Sequence, residues 1–195
     1  MRVDAQATIR RRITESLEAK QALLENGVVA QVAELAEAIT EAFREGNKVL
    51  FFGNGGSAAD ATHLASEFVG RYLMDREPLN AISLTDNSSS VSAIGNDYAY
   101  DEVFARQIRA LGRPGDVAIG LSTSGRSRNV VEGLRAAGRA GLRTVAITGA
   151  DGGDLPAVAE LCLRMPVQET ARVQECSMLV GHTVCELVEA SLFES

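Results

Sequence analysis

Apolar and polar positions along the chain follow two patterns, a helical period and short continuous apolar runs. In the first part of the chain, Ile9, Ile13, Leu17 and Leu24 recur near helical spacing, and Val28, Val32, Leu35, Ala36, Ile39 and Phe43 do the same after Asn26-Gly27. Either residue of that pair tolerates the left-handed conformation that ends a helix, so the pattern predicts a helical hairpin closing at Glu45-Gly46. A parallel sheet does not need such a hairpin. It reads equally as a cover for one sheet face and as an oligomerisation arm.

Beyond residue 46 the pattern changes to short apolar runs alternating with helical ones. Val49–Phe52, Ala81–Leu84, Val117–Leu121, Thr144–Thr148 and Leu161–Met165 read as strands, the last stopped by Pro166. Between them lie helical stretches. One has its apolar face on Ala61, Leu64, Ala65, Phe68, Val69 and Tyr72, and others run from Ser88 to Ile94, about Asp101 to Leu111 and Asn129 to Ala140. Gly95-Asn96-Asp97 and Arg113–Asp116 read as turns. The final helix, Thr170 to Phe193, is apolar over most of its circumference and is expected to be largely buried. Strands alternating with helices predict an α/β fold: a doubly wound, parallel five-stranded sheet flanked by helices over residues 47–195. With the hairpin of residues 1–46 it makes one structural unit. Ligands of such sheets bind at the carboxyl ends of the strands, where the polar loops 53–57, 85–90, 122–127 and 148–154 fall together.

Composition narrows the classes of function. A net charge of −7 excludes nucleic acid as a bulk partner, because phosphate backbones need a basic face. No apolar run approaches the ~18 residues of a membrane span, and the polar Met1-Arg2-Val3-Asp4 lacks the apolar core of a signal peptide. Cys162, Cys176 and Cys185 form no C-x-x-C pair and read as packed thiols of a reducing, cytoplasmic protein.

The candidate chemistry lies in the loops and on two helices. Ser122, Thr123, Ser124 and Ser127 place four hydroxyls at a helix N-terminus, which suits the terminal oxygens of a phosphate monoester. Gly53-Asn54-Gly55-Gly56-Ser57-Ala58 satisfies the dinucleotide fingerprint G-x-G-x-x-A, with Asp86 after the next strand. That rival leaves the serine loop unexplained. It also leaves unexplained a polar stripe of Asp60, His63, Glu67 and Arg71, on which His63 and Glu67 share one face one turn beyond the loop. The chain's other histidine, His182, follows Gln174 by about two helical turns. Two histidines, a carboxylate and a carboxamide can ligate a divalent metal such as zinc, although glutamine is an uncommon ligand.

Taken together and in order, these motifs resemble the sugar isomerase (SIS) domain family. They are Phe52-Gly53-Asn54-Gly55-Gly56-Ser57, the His63/Glu67 helix with Gly70-Arg71-Tyr72, Gly95-Asn96-Asp97, and Ser122-Thr123-Ser124-Gly125. Thr148-Gly149 with Asp151-Gly152-Gly153, and Arg172-Val173-Gln174-Glu175, complete the set. The similarity is greatest to members that interconvert sedoheptulose 7-phosphate and D-glycero-D-manno-heptose 7-phosphate, the first step toward nucleotide-activated heptose. It implies an SIS-type sheet and a homotetramer built with the N-terminal helices, with sites at subunit interfaces. It implies one zinc ion per subunit on His63, Glu67, Gln174 and His182, and an acid/base pair of Glu67 and His182. The implied substrate contacts are Asn54, Gly55, Gly56, Glu67, Asn96, Asp97, Ser122, Thr123, Ser124, Ser127 and Gln174. Arg126 departs from the asparagine usual in that family. Two alternatives share the fold: a scaffold like the bacterial replication-initiator-binding protein, whose positions matching Glu67 and His182 are not acid/base residues, and a sugar-phosphate sensor, which needs only the phosphate loop.

Overall fold

The structure is a computed structural model that describes residues 4–194. Residues 1–3, part of the stretch on which the expected absence of a leader rests, lie outside the described residues, as does residue 195. The five apolar runs form five parallel strands, β1 (Val49–Gly53), β2 (Ala81–Ser83), β3 (Val117–Ser122), β4 (Arg143–Thr148) and β5 (Leu161–Arg164), in the order β2-β1-β3-β4-β5. Successive side chains of a strand point to opposite faces. Accordingly Val49 and Phe51 join one buried cluster, Leu50 and Phe52 the other. Both faces are covered, as a parallel sheet requires. Helices α2 (Val28–Arg44), α3 (Gly56–Val69) and α7 (Thr170–Phe193) cover the first face. The second carries α4 (Ser88–Asp97), α5 (Val103–Leu111) and α6 (Arg128–Arg139).

Strand limits fall within a residue of those expected, while several helical details differ. Gly95-Asn96-Asp97 is the last turn of α4, not a turn between elements. Helix α3 starts at Gly56, so His63 lies nearly two turns from its start, not one. It ends at Val69, which leaves Arg71 and Tyr72 in the following loop and Val69 itself half exposed. The two hairpin helices have different fates. Helix α2 buries Val32, Leu35 and Ile39 against the sheet, whereas α1 (Ala5–Ala22) buries only Ala19. Ile9, Ile13 and Leu17 of α1, with Leu24 just after it, face outward at 56–67% exposure. Polar contacts hold α1 in place: Arg172 Nη1 donates to the Arg12 carbonyl at 2.7 Å and Ser16 Oγ to Glu175 Oε2 at 2.7 Å. Helix α7 is long and apolar enough, by length and composition, to cross a membrane. Its Val173, Val180, Val184 and Val188 instead enter the core beside α2 and α3, while Leu179 and Leu187 remain exposed.

The amino ends of β1 and β3 are tied together by a buried charge. Asp116 Oδ1 accepts the Lys48 N–H at 3.0 Å, and its Oδ2 accepts Lys48 Nζ at 2.6 Å and the Arg113 N–H at 2.7 Å. Removing one partner of such a pair leaves the other charge and its donors uncompensated. Asp116→Ala is expected to lower unfolding free energy by about 3 kcal/mol. The check is a denaturant midpoint that falls at unchanged slope.

Candidate active site

The strand order makes one place in this sheet special. The chain leaves β1 toward β2 on one side and returns to β3 on the other, so a crevice opens outside their carboxyl ends. Register sets Gly53 beside Leu121 and Ser122 beside Thr148, so the glycine turn and the serine loop start as neighbours. The serine loop is fastened by its carbonyls. The Gly149 N–H donates to Thr123 O at 3.1 Å and the Asp154 N–H to Gly125 O at 2.9 Å. Gly125 sits at φ +67, and a Cβ there would lie 2.0 Å from the Gly152 carbonyl oxygen, so no side chain fits this approach. The hydroxyls lie at the mouth of α6. Ser122 and Ser127 Oγ are 2.9 Å apart, and Ser127 is the N-cap of α6 yet makes no side-chain capping bond. Ser124 Oγ accepts the Arg126 N–H at 3.2 Å, and the Arg126 guanidinium pairs with Asp151.

In the glycine turn, Asn54 and the buried Asn129 exchange two side-chain hydrogen bonds of 2.8 and 2.9 Å. Tyr100 Oη donates to Asn54 Oδ1 at 3.0 Å. Asn96 and Asp97 bond to each other at the end of α4, close to the Tyr100 segment. Gly56 packs against Gln174, whose Nε2 would be 2.1 Å from a Cβ there. Asp86, the residue a dinucleotide reading would reserve for a ribose, accepts the Thr62 hydroxyl of α3 at 2.5 Å.

His63, Glu67 and His182 come together between α3 and α7. His63 Nε2 lies 3.0 Å from Glu67 Oε1 and 3.0 Å from His182 Nε2, and one donor atom from each falls within 4.8 Å of the others. Tetrahedral zinc with bonds of about 2.0–2.1 Å holds its ligand atoms roughly 3.3 Å apart. Two of the three separations in the triad, at 3.0 Å each, are close to that value. Gly181 permits this approach of the two helices, since a Cβ on it would meet Leu64 Cδ2 at 2.5 Å. Neighbouring Asp60 is half-buried with Oδ2 unpartnered, and burial raises its carboxyl above the usual range against the opposing effect of His63. The cysteines are not poised for chemistry. Burial raises all three thiols, Cys185 to about 12, so they stay protonated at neutral pH and are poor nucleophiles.

Four polar residues around the site escaped the reading of the sequence: Tyr100, Asn129, Arg76 and Glu189. Asn129 looked like an ordinary first-turn residue. Glu189 did carry a signal, a carboxylate on an apolar helix seven residues beyond His182 and hence on the same face. It is buried, and Oε1 accepts Arg76 Nε at 2.9 Å and the Tyr72 N–H at 2.8 Å. Burial alone would raise its carboxyl, but the N–H groups of Tyr72, Leu73 and Met74 and the Arg76 charge hold it below the ordinary range.

Residues 12–149 match the SIS domain family. A curated phosphoheptose isomerase of Roseiflexus sp. is 51% identical over 182 residues, covering 93% of this chain and 92% of the relative. That of Akkermansia muciniphila is 49% identical over 166 residues, covering 85% and 88%. The solved phosphoheptose isomerase of Neisseria gonorrhoeae superposes with a TM-score of 0.90 at 40% identity, covering 95% of this chain and 98% of that one. That of Francisella tularensis superposes with a TM-score of 0.91 at 31% identity, with coverage of 95% and 98%.

Gly181→Ala tests whether the close helix approach matters. Overpacking should cost about 1–3 kcal/mol, and the displaced helix should part the histidines. Fewer divalent ions bound per chain in a cobalt titration, at unchanged assembly, is the expected result. Unchanged binding would mean that Leu64 yields and the helices stay where they are.

Proposed function

The chain belongs to the phosphoheptose isomerases of the SIS-domain family, and on that premise we propose that it interconverts sedoheptulose 7-phosphate and D-glycero-D-manno-heptose 7-phosphate. This aldose–ketose isomerisation opens the route to nucleotide-activated heptose. The observation that carries the reading is the meeting of Glu67 and His182, from distant parts of the chain, beside His63. The reaction moves a proton between C1 and C2 through an enediol and needs a base, an acid and an electrophile for the developing oxyanion. Glu67 takes the proton and His182 serves the carbonyl oxygen. Zinc, held by His63, Glu67, Gln174 and His182, would polarise that oxygen. The compact triad supports three members of this set, His63, Glu67 and His182, while the Gln174 amide packs against Gly56, about two turns of α3 before His63.

The phosphate and the reacting carbons stand at opposite ends of an open-chain heptose 7-phosphate. In the protein, the first two turns of α3 separate the His–Glu cluster from the glycine turn, which opens beside the serine loop. Ser122, Thr123, Ser124 and Ser127 take the phosphate. Asn54, Gly55, Gly56, Asn96, Asp97 and Gln174 line the chain between. The scaffold and sensor alternatives are disfavoured, because the relatives at about half identity are isomerases and this chain has both members of the acid/base pair. Asp86 bonded to Thr62 likewise speaks against a dinucleotide.

The homotetramer belongs to this proposal. Its support is the outward apolar stripe of α1 together with a groove of about 360 Å³ lined by Leu23, Val29, Val32, Leu179 and Leu187. Burying those faces against other copies would drive assembly. A cytoplasmic setting accords with three unpaired thiols.

A product assay with sedoheptulose 7-phosphate beside shorter ketose phosphates tests the substrate; turnover of the shorter ones alone would remove the heptose assignment. Glu67→Gln and His182→Asn should each lower kcat at least ~10²-fold, and the double variant should lose less than the product of the two. Wild-type turnover in the folded double variant would end the catalytic assignment. Light scattering at micromolar concentration should report four chains, and a monomer would refute the assembly.

A further inference from the structure

The loop between α3 and β2 crosses back over both catalytic helices, and a buried ion pair holds it there. Side chains of Arg76 and Glu189 are 2% and 1% exposed. Glu189 accepts three successive backbone N–H groups, from Tyr72 at 2.8 Å, Leu73 at 2.8 Å and Met74 at 3.1 Å. Arg76 turns the other way and caps the end of α3. Its Nη2 donates to the Glu67 carbonyl at 2.9 Å, and its Nη1 donates to those of Phe68 at 2.8 Å and Gly70 at 3.4 Å. These are among the carbonyls that a helix end leaves without partners. The strap so fixed lays the Tyr72 ring on the imidazole of His182, with centroids 5.4 Å apart and planes 17° from parallel. One ion pair therefore reaches the backbone of Glu67 directly and the ring of His182 through Tyr72.

We propose that Arg76, Glu189 and Tyr72 form a positioning device for the isomerase reaction, setting the Glu67 backbone and the His182 ring in fixed relation; this rests on the isomerase reading above. Stability alone is a poor reason for the arrangement. A buried ion pair costs heavily in desolvation, and apolar replacements of similar volume are often neutral or stabilising. What apolar side chains could not do is bind three N–H groups and three carbonyls of two segments at once. The strap uses that capacity where the acid and the base must keep station. Tyr72 acts as a flat wall, so its ring matters and its hydroxyl does not.

The test compares Tyr72→Phe, Tyr72→Leu and Glu189→Gln in the full-length assembled protein. Tyr72→Leu should lower kcat roughly tenfold to 100-fold, the range for partners that orient a site's groups. KM should stay within about twofold, because substrate contacts are untouched. Tyr72→Phe should restore kcat. The chain has two histidines, so carbon-labelled imidazole spectra give a second readout free of turnover. The His182 ring signal should shift and broaden with leucine and hold its place with phenylalanine. Wild-type kcat and unmoved ring signals in Tyr72→Leu would overturn the proposal, as would equal losses with leucine and phenylalanine. Glu189→Gln should reproduce the leucine pattern, and the Tyr72 pair decides the matter even where that variant fails to fold. A wild-type protein that turns over no heptose phosphate would defeat the isomerase reading, while the ring signals would still decide the positioning.

Discussion

The pairing of β1 with β3 is the constraint on which the site depends. Parallel strands need a crossover, and the chain makes its first one away from β3 before coming back. The glycine turn and the serine loop, far apart in sequence, are thereby forced to open side by side. Neither loop could bind a small anion well alone. Together they present hydroxyls and backbone amides at the ends of those strands, and carbonyl bonds to Gly149 and Asp154 fasten the serine loop. On the proposed reading, oriented dipoles would give this negatively charged protein a local anion site.

A second constraint is the approach of α3 and α7. Gly181 and Leu64 stand next to the two histidines in sequence, so the helix contact and the histidine contact are one geometric fact. The strap of residues 70–76 adds a fixed frame at the far end of the same crossing. The His63, Glu67 and His182 side chains are thus carried by helices, while the glycine turn and the serine loop supply the remaining polar groups.

Much of this was legible in the sequence because the physics involved is local. Short apolar runs marked the strands to within a residue, since both faces of a parallel sheet select apolar side chains. The His63/Glu67 pair could be read from a four-residue step. The opaque parts are those that depend on distant partners. The outward turn of α1 was invisible because an apolar stripe does not say which body will cover it. Asn129 was invisible because a polar residue on a helix reads as solvated until its partner is known, and the apolar surroundings of Glu189 signalled burial without naming the partner. Gly95-Asn96-Asp97 misled for a related reason: residues that favour turns also close helices, and α4 carries them as its last turn.

The buried aspartate at the amino ends of β1 and β3 has a consequence for how such a protein can change. Asp116 secures the sheet at one end, and the polar loops occupy the other. Substitutions among the loop residues therefore leave the anchor of the fold untouched. New sugars could be accommodated at the open end while the closed one stays as it is. A laboratory library that varies the loops and freezes the anchor would follow the same division.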